Sequence, residues 1–231
     1  MRRVVRLAVW LLALVLALFI LLQAWFAAQI VWWRTHAPRE TSFMSMRLSD
    51  LRDKDPQVRL RYQFVAYPQI SDHLKRAMIA AEDARFTEHG GFDWDGIRNA
   101  IEKNRRAGRV VGGGSTITQQ LAKNLFLSPA RSYWRKAEEA VVTVLLEALL
   151  PKQRIFELYL NVIEWGNGVF GAEAAAQRYF GIGAAQLSAV QAARLAAMTP
   201  SPRTFERRPE SAYLDGRVAT ILARMPGAVL P

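Results

Sequence analysis

The chain has 231 residues, no cysteine and a formal net charge of +11. Without cysteine, neither a disulfide framework nor a thiolate metal site is available, and so basic a chain calls for an anionic partner. In chain order, Arg2, Arg3 and Arg6 precede an almost unbroken apolar run over 7–33, in which Gln23 and Gln29 are the strongly polar interruptions. That run exceeds the ~20 residues needed to cross a bilayer, and it is longer than the roughly 7 to 15 apolar residues of a cleaved signal peptide. It predicts a cytoplasmic tip and transmembrane anchor over residues 1–34. The arginine flank keeps the N-terminus in the cytoplasm, Trp32 and Trp33 sit at the outer interface, and the rest of the chain lies outside the cytoplasmic membrane. Roughly 195 residues remain, enough for one compact domain with or without a small lobe. The first 34 residues hold four arginines and no acid, so this remainder keeps +7. For an exported basic domain, lipid phosphates or a pyrophosphate fit better than nucleic acid.

Residues 35–57 carry Thr35, Ser42, Ser45, Asp53, Asp55 and Pro56 without a sustained period, which predicts a polar linker ahead of a domain over 58–231. Val58, Leu60, Tyr62 and Phe64 then alternate with Arg59, Arg61 and Gln63 in a strand-like pattern. The rest is helical in pattern. A helix over 71–85 places Leu74, Met78, Ile79 and Phe86 on one side, with Glu82 in the middle of that apolar arc. A carboxylate among apolar groups is costly unless paired and holds a proton more tightly, which suits a general base near neutral pH. A helix-end glutamate tied to Lys75, Arg85 or Lys123 explains it equally well, and the segment alone leaves both readings open.

Asp93 can cap a helix over 94–105, and the basic, glycine-rich stretch 105–114 is an expected loop. With Ser115 as N-cap, the next helix turns Thr116, Gln119, Gln120, Lys123 and Asn124 to one face and Ile117, Leu121 and Leu125 to another. The polar face has no acid. Neutral hydrogen bonders ending in a lysine are what a sugar bearing a phosphate requires, whereas a merely solvated face usually mixes Lys with Glu. The Gly-Lys-Ser/Thr ending of a P-loop and the Gly-x-Ser-x-Gly elbow are both missing, so Ser115 is a poor nucleophile. Arg131, Arg135 and Lys136 follow, then a helix over 133–149 stopped by Pro151. Glu139 stands one turn after Arg135, and a simple ion pair is the default explanation. The large apolar groups Leu125, Phe126, Leu127, Tyr133 and Trp134 suit either a bilayer interface or the core, and the core is favoured. Helices over 155–161, 172–180, 186–198 and 210–225 complete the chain, with a glycine-punctuated loop at 164–171.

The residue pattern Glu82-Asp83-x-x-Phe86-x-x-His89-x-Gly91-x-Asp93 is followed by Gly114-Ser115-Thr116-Ile117-Thr118-Gln119-Gln120-Leu121-x-Lys123-Asn124 and Arg135-Lys136-x-x-Glu139. Next come Ile155-x-Glu157-x-Tyr159-Leu160-Asn161, Gly166, Gly171, Tyr179-Phe180-Gly181 and the stretch 187–202. In this order, over about residues 68–205, they resemble the motifs of the peptidoglycan glycosyltransferase family, glycosyltransferase family 51. The resemblance implies a mainly α, lysozyme-like head with a small membrane-proximal jaw lobe. Residues from about 94 to 134 would supply much of the jaw, and 105–114 is a candidate lid.

It also implies an inverting reaction that joins lipid II units into β-1,4 glycan strands with release of undecaprenyl pyrophosphate. In family terms Glu82 matches the general base, and Lys123, Arg131, Arg135 and Lys136 match the pyrophosphate clamp. Glu139 matches a second essential acid that organises those cations and could bind a divalent ion, Mg²⁺ or Mn²⁺. Thr116, Gln120 and Asn124 match donor-site positions, and Asp83, Phe86 and His89 match supporting ones. The implied partners are the bilayer, the growing strand, cell-wall synthesis and division proteins, and a moenomycin-type inhibitor. No nucleic acid is implied. Thr199-Pro200-Ser201-Pro202-Arg203 stands where the family more usually ends in Pro-Asn-Pro. The chain carries no Ser-x-x-Lys with Lys-Thr-Gly, so no transpeptidase activity is expected. The rival functions are a lytic or hydrolytic muramidase-like enzyme, which has no use for a clamp of four cations, and a non-catalytic anchored scaffold.

Overall fold

The computed structural model describes residues 1–109, 113–128 and 132–231. Helix α1 (Arg2–Trp32) is the apolar run, with mean hydropathy 2.8 in its most apolar window. Most of its side chains are uncovered, as a helix long and apolar enough to cross a membrane requires, but Phe26, Ile30 and Trp33 are buried against the following domain. Arg154 on α7 (Lys152–Val162) ties this end down: its Nε donates to the Trp33 carbonyl at 2.7 Å and its Nη2 to that of His36 at 2.6 Å.

The expected linker contains a helix, α2 (Ser42–Arg52), capped by the Thr41 hydroxyl, which accepts from the Met44 N–H at 3.2 Å. Only Met44 on it is fully buried, so no apolar period marks it in the sequence. The alternating stretch after it forms just β1 (Arg61–Tyr62), which pairs in parallel with β3 (Val169–Phe170); β3 pairs antiparallel with β2 (Glu164–Gly166). Asn161 pins this small sheet, accepting from the Val65 N–H at 2.9 Å and donating to the Val65 carbonyl at 3.0 Å. Gly171, at φ +85°, follows β3, and a Cβ there would stand 2.6 Å from the Asn161 carbonyl oxygen. No other residue fits.

Helix α3 (Asp72–Glu82) starts at Ser71, whose hydroxyl accepts from the His73 N–H at 3.2 Å. Leu74, Ala77, Met78 and Ile79 are buried, and α3 packs against α9 (Ala189–Met198) and α11 (Ala212–Arg224). Each large side chain such as Met78 contributes about 1.5–3 kcal/mol by leaving water. The helix stops three residues short of the expected end, because Asp83 leaves the helical path at φ −161°, ψ 76°. Phe86 is therefore off the helix, yet fully buried, 5.5 Å from the ring of Phe156.

Helix α4 (Trp94–Ala107) is capped by Asp93, which accepts from the Gly96 N–H at 2.9 Å. The lid expected at 105–114 falls partly outside the described residues. Helix α5 (Ile117–Phe126) packs on α2, on α6 (Tyr133–Leu149) and on α7. Leu125 and Leu127 are core, but Tyr133 and Trp134 are 96% and 88% exposed, against the expectation of burial for that pair. Helix α6 ends just before Pro151, and α8 (Ala172–Phe180) and α10 (Pro202–Arg207) complete the helical set among the described residues.

Candidate active site

Because α3 terminates at Glu82, its carboxylate is offered at a helix end rather than sunk in an apolar face. Its Oε2 accepts from Gln120 Nε2 at 2.9 Å and its Oε1 accepts from the Thr199 hydroxyl at 2.7 Å. Gln120 comes from α5, and Thr199 caps the C-terminal end of α9. The amide of Gln120 is oriented in turn by Tyr159, whose hydroxyl donates to Gln120 Oε1 at 3.2 Å. Tyr159 is fully buried, and burial first, then the negative charges of Glu82 and Asp83, hold its phenol well above the ordinary range. It stays a neutral donor. Of the three cations that offered a bland account of Glu82, two are engaged elsewhere: Lys75 pairs with Asp72 at 2.9 Å, and Arg85 with Asp93 at 2.9 Å and Asp95 at 3.0 Å, while Lys123 acts on Glu82 electrostatically without an ion-pair contact. Among the described residues Glu82 makes no ion pair.

Asp83 and His89 spend their polar atoms on the fold around this carboxylate. Asp83 Oδ2 accepts from the Ile117 N–H at 3.0 Å, in the first turn of α5, where a negative charge is favoured. Its Oδ1 lies 2.9 Å from His89 Nε2, and His89 Nδ1 accepts from the Gly91 N–H at 3.2 Å. Since Nδ1 is an acceptor, the proton of the neutral ring sits on Nε2. Phe86 packs edge-on against His89, and Lys152 Nζ stands over the Phe86 ring, 4.5 Å from its centroid.

The polar face foreseen on α5 is narrower than its pattern. The N-cap is Thr116 and not Ser115; its hydroxyl accepts from the Gln119 N–H at 3.2 Å and donates to the Gly91 carbonyl at 2.7 Å. Gln119 returns the bond, its Oε1 accepting from the Thr116 N–H at 3.0 Å. Both are buried, so Thr116 sets the start of α5 and its side chain is not presented to a ligand. Gln120, Lys123 and Asn124 remain on the open side. Asn124 is held by its Nδ2, which donates to the Gln120 carbonyl at 2.8 Å.

A cation cluster lies at the start of α6. Glu139 is buried, with Oε2 accepting from Arg135 at 2.6 Å and Oε1 accepting from Lys136. The i,i+4 ion pair expected here is present, joined by a second cation. Lys123 interacts electrostatically with this group and with Glu82: burial lowers its pKa, Glu139 and Glu82 counter the shift, and Arg135 and Lys136 add to it. One lysine thus feels both acids. Arg131 lies outside the described residues. A hard divalent cation takes several oxygen ligands. Here both oxygens of Glu139 are committed to cations, and no trio of His, Asp or Glu stands together among the described residues.

Gln120, Lys123, Asn124 and Thr199 line a cleft of about 1210 Å³, together with Arg47, Ile163 and Arg203. It is larger than the roughly 300–1,000 Å³ of pockets for drug-sized ligands, which suits an extended molecule. Two features of this site escape a reading of the sequence. Thr199 stands in the stretch that departs from the family's usual ending, and a hydroxyl just before a helix-ending proline is the signal that could have found it. Glu164 also lines the cleft, paired to Arg47 at 2.9 Å, with its pKa raised by burial against the pull of that arginine.

The family model described as Transglycosylase matches residues 52–226 of the chain. The chain is 63% identical over 191 residues to a protein of Azoarcus sp. (strain BH72), covering 83% of each chain. It is 57% identical over 216 residues to one of Dechloromonas aromatica (strain RCB), 94% of each, and 57% identical over 226 residues to one of Herminiimonas arsenicoxydans, 98% of each. All three are named biosynthetic peptidoglycan transglycosylase.

Proposed function

The chain belongs to the transglycosylase family and is a peptidoglycan glycosyltransferase, and we propose that it polymerises lipid II into β-1,4 glycan strands, releasing undecaprenyl pyrophosphate. Glu82 takes the proton of the acceptor's 4-hydroxyl. The freed oxygen attacks C1 of the donor, the bond from C1 to the phosphate oxygen breaks, and its electron pair leaves on the pyrophosphate. Lys123, Arg135 and Lys136, with Arg131, meet the charge that develops there, and because Glu139 holds two of them in place, little reorganisation is needed. Attack from one side and departure from the other inverts the anomeric carbon.

The observation that carries this reading is the division of labour between the two acids. Glu82 is held by neutral donors, Gln120 and Thr199, and is unneutralised by any ion pair among the described residues, as a base must be. Glu139 has both oxygens bound to cations, so it is not free to act as the second carboxyl of a hydrolase. The apolar α1 keeps the domain beside a lipid-linked substrate, with its arginine-flanked N-terminus in the cytoplasm and the cleft in the periplasm. Wall-synthesis proteins are the expected neighbours.

Purified full-length protein given lipid II in detergent is expected to lengthen glycan, release undecaprenyl pyrophosphate and leave finished peptidoglycan undigested. Glu82→Gln, with an unchanged circular dichroism spectrum, is expected to lose polymerisation by about 10²–10⁴-fold. Substantial turnover by that variant removes Glu82 from the base role.

A further inference from the structure

Thr199 has one hydroxyl proton and two acceptors within reach. Its Oγ1 is 2.7 Å from Glu82 Oε1 and 2.8 Å from the carbonyl oxygen of Ala196. When Glu82 is ionised both partners only accept, and a single O–H serves one of them at a time. The competition has a covalent origin. In a regular helix the Ala196 carbonyl would accept from the N–H of residue 200, and Thr199 keeps helical dihedrals, φ −54° and ψ −35°, so the chain is still on that path. Residue 200 is proline and has no N–H. The Thr199 N–H reaches the same carbonyl only at a long 3.4 Å, and Ala196 is fully buried, so its oxygen requires a donor.

Resting on the base reading of Glu82, we propose that Thr199 is a positioning residue for that carboxylate, and that Pro200 sets how firmly it holds by leaving the Ala196 carbonyl to compete for the same hydroxyl proton. With Glu82 ionised, the hydroxyl donates to Oε1 and fixes its aim. After Glu82 has gained the acceptor's proton, the hydroxyl turns to Ala196 and offers a lone pair to the new Oε1–H. Thr199 keeps its own proton throughout; one O–H bond breaks on the acceptor sugar and one forms on Glu82. The base therefore keeps a partner in both states. The other titratable groups that interact with Glu82 are Lys123 from α5 and Tyr159 from α7, with Asp83 beside it; Thr199 is what α9 contributes.

The test is the acid limb of the pH profile of lipid II polymerisation, measured on the full-length protein. Thr199→Val removes the donor from the charged form, so the limb moves to higher pH by about half to one unit, and Thr199→Ser restores it. Pro200→Ala gives the Ala196 carbonyl its own N–H and frees the hydroxyl for Glu82, so the limb moves the other way. Plateau kcat falls roughly tenfold in Thr199→Val with KM little changed. Opposite shifts support the inference; no shift in either variant, or shifts of the same sign, overturn it. Pro200 is exposed, so if Thr199→Val does not fold, Pro200→Ala decides alone, and an unmoved or raised limb there refutes the competition. Glu82→Gln, run alongside, separates two failures: activity in that variant defeats the base reading, whereas an inactive Glu82→Gln with native limbs in the other variants defeats only this inference.

Discussion

Removing one oxygen atom tests whether the buried tyrosine acts on the proposed base, Glu82, only through Gln120. In Tyr159→Phe the ring keeps its packing, but Gln120 Oε1 loses the donor at 3.2 Å that keeps its amide from turning over. Two effects of different size are expected. An amide oxygen left without a partner costs about 1–3 kcal/mol, which for a domain of this length lowers the melting temperature by about 2–12 °C. The catalytic effect is smaller, because the flip that turns the Gln120 carbonyl toward Glu82 is itself opposed by repulsion from the carboxylate. A fall of about two- to tenfold in kcat, with KM held, is expected. The decisive measurement is a double-mutant cycle on lipid II polymerisation with Gln120→Ala. If Tyr159 works through the amide alone, Tyr159→Phe has no further effect once the amide is gone, and the coupling equals the single-mutant loss. Additive losses would refute the chain from Tyr159 through Gln120 to Glu82.

Other consequences can be measured on the same protein. Gly91 has φ +92°, and a Cβ there would stand 2.7 Å from Thr143 Cγ2 and 3.0 Å from Glu147 Cγ; Gly91→Ala is expected to cost about 2–5 kcal/mol in denaturant unfolding, with part recovered by adding Thr143→Ser. Burial lowers the Lys123 pKa, so the charge proposed to hold the donor is lost as pH rises through a value below that of a free lysine; Lys123→Arg should carry binding of a moenomycin-type competitor to higher pH, and an unmoved alkaline limb would exclude Lys123 as its source. The same burial disfavours the charged form of Lys123 in the fold, so Lys123→Met should raise the melting temperature at neutral pH while abolishing donor binding. Glu139→Gln is expected to lose about 2 kcal/mol of stability, most of it from the Arg135 bond because Lys136 is 47% exposed and screened, and to weaken pyrophosphate binding measured by calorimetry.

Local patterns carried the local part of this structure. The membrane-length helix, the stop before Pro151 and the Asp93 cap each depend on residues a few positions apart. The true N-cap of α5 was also present in the sequence, since Thr116 has a glutamine three residues on and Ser115 does not, and the capping box selects between adjacent hydroxyls on that ground. Helix α2 was hidden for the opposite reason: one fully buried methionine makes no period. In the site, Glu82 was visible as a carboxylate out of place, but what holds it was not. Gln120 is 38 positions away and Thr199 is 117, separations at which no periodicity carries information. The expected apolar surroundings came from extending α3 past Glu82. Once the helix ends there, the carboxylate swings to neutral donors.

The apolar helix α1 packs against two elements of the site, α6 and the end of α5. Phe126, the last residue of α5, packs against Phe26 at 4.5 Å and Trp33 at 5.3 Å, so the end of α1 rests on the element that carries Gln120, Lys123 and Asn124. Arg154 fixes the same junction from α7, bonding the backbone carbonyls of Trp33, the last residue of the apolar run, and His36 while its remaining arm pairs with Glu157. Glu157 in turn accepts from the Tyr67 N–H at 2.6 Å, so the clamp is tied into the chain just ahead of α3 and Glu82. Backbone acceptors make that clamp indifferent to the side chains at 33 and 36, which leaves Trp33 free to pack and His36 to stack on Trp32 at 3.7 Å. On the proposed function, a lipid-linked donor arrives with its pyrophosphate at a depth set by the bilayer. On the proposed function, an enzyme that must meet that phosphate with preset cations gains from having their helix braced on its own anchor, because the depth of Lys123 is then fixed before substrate binds and costs no reorganisation in the reaction.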